Sequence, residues 1–137
     1  MPSSREPSNR DIVAAAFEKM AEGDPSRYLD IIADDFRYEF IGASTWGGVY
    51  SGKADFRQNF GRVLMERITP PLRLKTVRIL ESGDYVVLEV AGTNTTRDGR
   101  PYNNRLCMIM RMANGKIIEI TEYCDTALVL DALGERV

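Results

Sequence analysis

Apolar positions follow two different periods along this chain, and the change between them divides it. Ile12, Val13, Ala16, Phe17 and Met20 recur at helical spacing, with Asn9 as the predicted N-cap and Gly23 as the stop. Asp24-Pro25 opens a second helix, Asp24 capping it and Pro25 taking its first position, with Tyr28, Leu29 and Ile32 on the apolar side. "FRYEFIG" then alternates as a strand, putting Phe36, Tyr38 and Phe40 on one face. A Gly-rich loop, "GASTWGGVYSG", holds the single tryptophan, Trp46. Ser51 is the predicted cap of a third helix, "KADFRQNFGRVLMERI", whose stripe is Phe56, Phe60, Val63 and Leu64 and which "TPP" ends.

Beyond that point the period is two. "LRLKTVRILE", "YVVLEVAGTNTT", "PYNNRLCMIMRM" and "KIIEITEYCD" read as successive strands, with turns at Ser82-Gly83-Asp84, Asp98-Gly99 and Asn114-Gly115. Asp-Gly and Asn-Gly supply the positive φ that tight hairpins need. "TALVLDALG" closes as a helix stopping near Gly134, with Asp125 read as its N-cap. The expected fold is α+β. About three N-terminal helices pack on a strongly curved, mainly antiparallel sheet, in a single cone-shaped domain over 9–134 that encloses a small-molecule pocket. Residues 1–8, rich in Pro and Ser, are expected to be a disordered tail.

Charge and composition remove several function classes. The 137 residues carry a formal net charge of -2 without a basic block, so no nucleic-acid partner is expected. No apolar run has the length of a membrane span, and "MPSSREPSNR" lacks the apolar core of a signal peptide, so the expectation is a cytoplasmic protein with no membrane partner. Cys107 and Cys124 fit a reducing compartment and have no metal-site spacing. The chain contains no histidine, which removes Ser-His-Asp and Cys-His catalysis and His-ligated metals. No cofactor is expected, and acid–base chemistry falls to Asp, Glu, Tyr, Cys, Lys or water.

One acid breaks the pattern. Ile118, Ile120, Glu122 and Cys124 share a strand face by alternation, and Glu122 is the only polar member. A carboxylate in such a row is neutral, paired or in a wet cavity, and a raised pKa suits a general acid or base. Against this stand a structural ion pair with Arg105 or Arg111 and plain exposure. Ile117 and Tyr123 on the other face permit a sheet that packs on both sides, as in a homodimer. Glu89 is either solvated, opposite the apolar row Val86, Leu88 and Val90, or a cavity partner of Glu122. Asn104 shares a face with Leu106, Met108 and Met110, and either orients a carbonyl or water or caps a turn. Tyr38 either donates into the cavity or is a core tyrosine satisfied locally. Trp46 is a lid, pocket wall or loop anchor. Phe40, Phe60, Met108, Ile120 and Cys124 complete the expected pocket wall.

In order and spacing, "DDFRYEF", "YSGKADFRQNF", "NGKIIEITEYCD" and the closing "LG" resemble the SnoaL-like and ketosteroid-isomerase-like branch of the nuclear transport factor 2-like superfamily, over roughly 9–134. That superfamily includes isomerases, cyclases, dehydratases, epoxide hydrolases, ring-hydroxylase subunits and non-catalytic binding proteins, so fold alone does not select an activity. A ketosteroid isomerase needs a Tyr and two Asp where the resemblance places Ala16, Phe40 and Met108, so that mechanism is not implied. A limonene-epoxide-hydrolase-like site matches at Tyr38 and at Glu122. Its Asn falls on Phe40, and its Arg and second Asp fall near Glu89 and Ala91. The resulting expectation is a homodimer that binds a small hydrophobic or polycyclic molecule and catalyses cofactor-free isomerisation, cyclisation or hydration with Glu122 as acid or base. The alternatives are a non-catalytic ligand- or protein-binding module and a small subunit of a larger enzyme.

Overall fold

A computed structural model describes residues 6–137. The predicted tail therefore lies mostly outside the described residues, and its last residue, Ser8, takes part in the first helix cap. Helix α1 (Asn9–Ala21) is capped by Ser8, not Asn9. The Ser8 hydroxyl accepts from the Asp11 N–H while the Asp11 carboxylate accepts from the Ser8 N–H, a reciprocal capping box. Helix α2 (Ser26–Ile31) starts one residue later than predicted, with Pro25 at the cap position and the Asp24 carboxylate accepting from the Ser26 N–H and hydroxyl. Ile32, predicted on that helix, is instead the first residue of β1 (Ile32–Phe40).

A short strand, β2 (Gly48–Ser51), follows inside the Gly-rich loop and pairs with β1. Gly52, not Ser51, then holds the N-cap position of the next helical body. That body runs as α3 (Lys53–Phe56), a π-helical turn (Arg57–Gly61) and α4 (Arg62–Arg67). The remaining strands are β3 (Leu74–Ser82), β4 (Tyr85–Gly92), β5 (Asn94–Thr95), β6 (Pro101–Tyr102), β7 (Arg105–Ala113) and β8 (Lys116–Cys124), before α5 (Thr126–Leu133). The second and third predicted strands are thus each broken, leaving Thr93 and Asn103-Asn104 outside the ladders. Asp125 caps α5 as predicted, accepting from the Leu128 N–H at 3.1 Å, and Gly134 ends it. Asn114 and Gly115, both at positive φ, make the turn between β7 and β8.

The main sheet has the order β2-β1-β8-β7-β4-β3, all antiparallel except the β1–β8 pair, and it does not close on itself. Helices cover one face. Val86, Leu88, Val90, Met108, Met110, Met112, Ile117 and Ile120 point into the core from the sheet, against Val13, Ala16, Phe17 and Met20 of α1. The other face carries rows such as Val87–Ile109–Thr121 and Glu89–Cys107–Tyr123.

A bulge in β8 corrects the predicted alternation. Met112 pairs with Ile117 and Arg111 with Glu119, so Ile118 is the extra residue. Ile117, Ile120 and Glu122 are consequently buried, and Ile118 is displaced from their row.

Candidate functional site

The sheet register builds the site. One cross-sheet row on the helix-covered face reads Leu88–Met108–Glu122–Phe40, and the next reads Val86–Met110–Ile120–Tyr38–Tyr50. Tyr38 on β1 is therefore the diagonal neighbour of Glu122 on the parallel strand β8. Its hydroxyl spans that diagonal and donates to Glu122 Oε1. Both side chains are buried, Glu122 at 6% exposure. Among the described residues no cation pairs with Glu122. Arg105 pairs with Glu89, and Arg111 with Glu119 at 3.9 Å. Both predicted structural partners of Glu122 are thus engaged on the opposite face.

Glu122 opens onto a cavity of about 480 Å³. Phe17, Met20, Leu29, Phe40, Phe56, Phe60, Leu106, Met108 and Val129 are among its apolar walls, with Trp46 at the loop side. Exposed Pro25, Arg57 and Pro70 carry the lining to the protein surface. Phe60 sits in the π-helical turn, its ring 5.0 Å from Tyr38, 5.6 Å from Phe40 and 5.7 Å from Trp46. The extra residue of a π turn turns its side chains out of α-helical phase, and such turns often accompany functional sites. Trp46 is held by its indole N–H, which donates to the Gly134 carbonyl at 2.7 Å, and by the Arg67 guanidinium over its ring.

Burial is the main influence on the acid. It raises the Glu122 pKa from 4.5 to about 7, against the Tyr38 hydrogen bond, which lowers it. Burial, reinforced by the Glu122 charge, drives the pKa values of Tyr28 and Tyr38 well above their usual value. Tyr102 moves the same way through burial, opposed by the hydrogen bond from Asn104. Burial first, then the charges of Glu122 and Asp125, push the Cys124 thiol up to about 12, so it is no activated thiolate. A carboxyl titrating near neutrality beside apolar walls can both take and return a proton.

The predicted residues separate into two groups. Tyr38, Phe40, Trp46, Phe60, Asn104, Met108 and Glu122 line one cavity. Ile120 is buried beneath it, in the Tyr38 row, and does not line it. Cys124 lies opposite Leu106 at the strand end, also outside the lining. Glu89 is on the other face of the sheet, paired with Arg105 and with Arg78 at 3.6 Å, so its cavity role is overturned. The cause is alternation. Val86, Leu88 and Val90 take the covered face of β4 and leave Glu89 on the other.

Asn104 is spoken for. Its amide donates to the Tyr102 hydroxyl and to the Asp125 carbonyl, each at 3.1 Å, and its oxygen accepts from the Asp125 N–H. It orients Tyr102 and ties the β8–α5 junction, with no donor left for a ligand. Two lining tyrosines were read from the sequence only as part of an element: Tyr28 as an apolar position of α2 and Tyr102 as strand. Among the described residues no three or more acidic or thiol side chains cluster as a metal site, and no helix is long and apolar enough to cross a membrane.

A mostly antiparallel sheet wrapped by helices around a cavity is consistent with the nuclear transport factor 2-like cone fold. Residues 13–120 match the SnoaL-like domain family, and the chain belongs to it. Solved structures agree on the fold. An NTF2-like protein of unknown function from Burkholderia pseudomallei superposes with a TM-score of 0.78 at 23% identity, covering 93% of this chain and 98% of its own. A putative SnoaL-like polyketide cyclase from Jannaschia gives 0.75 at 18%, with coverages of 96% and 98%. TerC, co-crystallised with polyporic acid, gives 0.75 at 20%, with coverages of 91% and 97%. No curated protein matches the sequence.

Proposed function

We propose that this protein binds a small hydrophobic or polycyclic molecule in the cone cavity and catalyses a cofactor-free proton transfer on it. The observation that carries this reading is Glu122: buried, with no cation paired to it among the described residues, bonded to Tyr38, and open to the mostly apolar cavity. In its charged form Glu122 takes a proton from an acidic C–H or from water, and its protonated form returns one elsewhere on the ligand. Tyr38 holds the carboxyl in place and moderates its pKa. Isomerisation, cyclisation and hydration all contain such a step. The names of a putative polyketide cyclase and of a protein crystallised with polyporic acid among the structural neighbours lend support to a ring-shaped ligand. Tyr85 and Tyr123, exposed on the uncovered sheet face, fit the further proposal of a homodimer formed there, which sedimentation would test.

The test is hydrogen exchange on a model carbon acid. Incubated with 2-tetralone in deuterium oxide, the native protein should accelerate exchange of the protons next to the carbonyl. Glu122→Gln should lose about two to four orders of magnitude of that acceleration. Binding of the ketone without any acceleration would leave a ligand-binding module and sink the catalytic reading.

A further inference from the structure

The cavity holds two hydroxyl groups that the proton-transfer reading does not use. Tyr102 accepts from the Asn104 amide, and among the described residues its own hydroxyl proton has no acceptor. Asn104 is itself 2% exposed and fully bonded, so the Tyr102 hydroxyl is anchored in one position. Tyr28 lines the same cavity from α2, and among the described residues its hydroxyl has no hydrogen-bond partner. No fully buried side-chain polar atom among them lacks a partner, so the Tyr28 oxygen keeps some accessible surface, on a residue that lines the cavity. An unspent hydroxyl in a mostly apolar wall costs stability unless water or a ligand meets it.

The chemistry of the surroundings narrows what that ligand is. Both tyrosines feel the Glu122 charge, and both keep their protons at neutral pH, so they act as donors. The lining's two arginines, Arg57 and Arg62, are exposed at its surface end, so at the inner end a ligand carboxylate or phosphate would only add a second negative charge beside Glu122 in a poorly solvated space, which is unfavourable. Neutral oxygen acceptors carry no such penalty. The flanking walls are flat rings, with Phe56 and Phe60 stacked at 5.5 Å and Tyr38 4.6 Å from Phe56. Such walls suit a planar ligand.

We infer that Tyr28 and Tyr102 are specificity-determining residues that donate hydrogen bonds to two neutral oxygens, carbonyl or hydroxyl, borne on a flat ring system. This rests on the reading of the cavity as a ligand site and names the class of ligand it takes.

Trp46, the single tryptophan and part of the lining, serves as the reporter. Quenching of its fluorescence would give the affinities of 9,10-anthraquinone, which has two ring carbonyls, and of anthracene, which has none. The native protein should bind anthraquinone at least about tenfold more tightly than anthracene. Tyr28→Phe and Tyr102→Phe should each cut that preference about threefold to tenfold, and the double variant should bring it near one. Anthracene affinity in each variant reports whether the cavity is intact. If the native protein binds both rings equally, or the double variant keeps the full preference, the inference is overturned while the cavity reading stands. If neither ring quenches Trp46, the cavity reading fails and takes the inference with it.

Discussion

Glu122 shows how far a single position can be read from sequence. Alternation alone placed it among apolar residues, and the structure buries it next to Tyr38. The same logic left Glu89 either solvated or a cavity partner, because alternation assigns two faces without saying which one is covered, and the structure puts it on the uncovered face with Arg105. Tyr28 and Tyr102 were legible as rings and not as hydroxyls. A core pattern records where an aromatic packs and says nothing about whether its oxygen finds a partner. Two predictions belong at this scale. Below about pH 4.5 the Glu122 carboxyl is neutral folded and unfolded, and adds no pH dependence to stability. Between there and about pH 7 the folded state keeps a proton that the unfolded state has lost, so stability falls as pH rises. Above that window the cost is complete, roughly 3 kcal/mol. Glu122→Gln should remove this slope and be the more stable protein above pH 7, as read from urea midpoints across pH. Tyr38→Phe removes the hydrogen bond that lowers the pKa, so Glu122 in that variant should titrate higher than in the native protein, as measured by carbon-detected NMR.

At the scale of elements, the hairpin turns were the most legible features and the irregularities the least, while the predicted caps fell one residue off at α1, α2 and α3 and were right only at α5. Asp-Gly and Asn-Gly signals located hairpin turns, since few residues accept positive φ. The bulge at Ile118, the π turn at 57–61 and the breaks at Thr93 and Asn103-Asn104 left no local signature, because each is imposed by register or packing with distant elements. The α5 cap offers a direct check. Asp125→Ala should cost about 1 kcal/mol in denaturant unfolding through loss of the bond to the Leu128 N–H. The chain after α5 is fastened by Arg67, whose guanidinium donates to the carbonyls of Leu133, Glu135 and Arg136 and covers Trp46. Arg67→Ala should destabilise the protein by about 1–3 kcal/mol and shift Trp46 emission to the red as its cover is lost.

The whole molecule joins these pieces into one arrangement. Helices wrap one face of an open, bulged sheet, and the space they leave is lined by rings around a single acid. The α+β order of elements was readable, since helices preceding a run of turn-linked strands admit few packings. The cavity volume and the pairing of Tyr38 with Glu122 were not, because they depend on the parallel register of β1 against β8. The central claim is that this register places a carboxyl, poised near neutrality, inside an apolar cavity. Its most direct test is the carbon-13 NMR titration of the Glu122 carboxyl, assigned through Glu122→Gln. The account predicts a midpoint near pH 7. A midpoint at or below the usual 4.5 would contradict it, and would make Glu122 a solvated or ion-paired carboxylate.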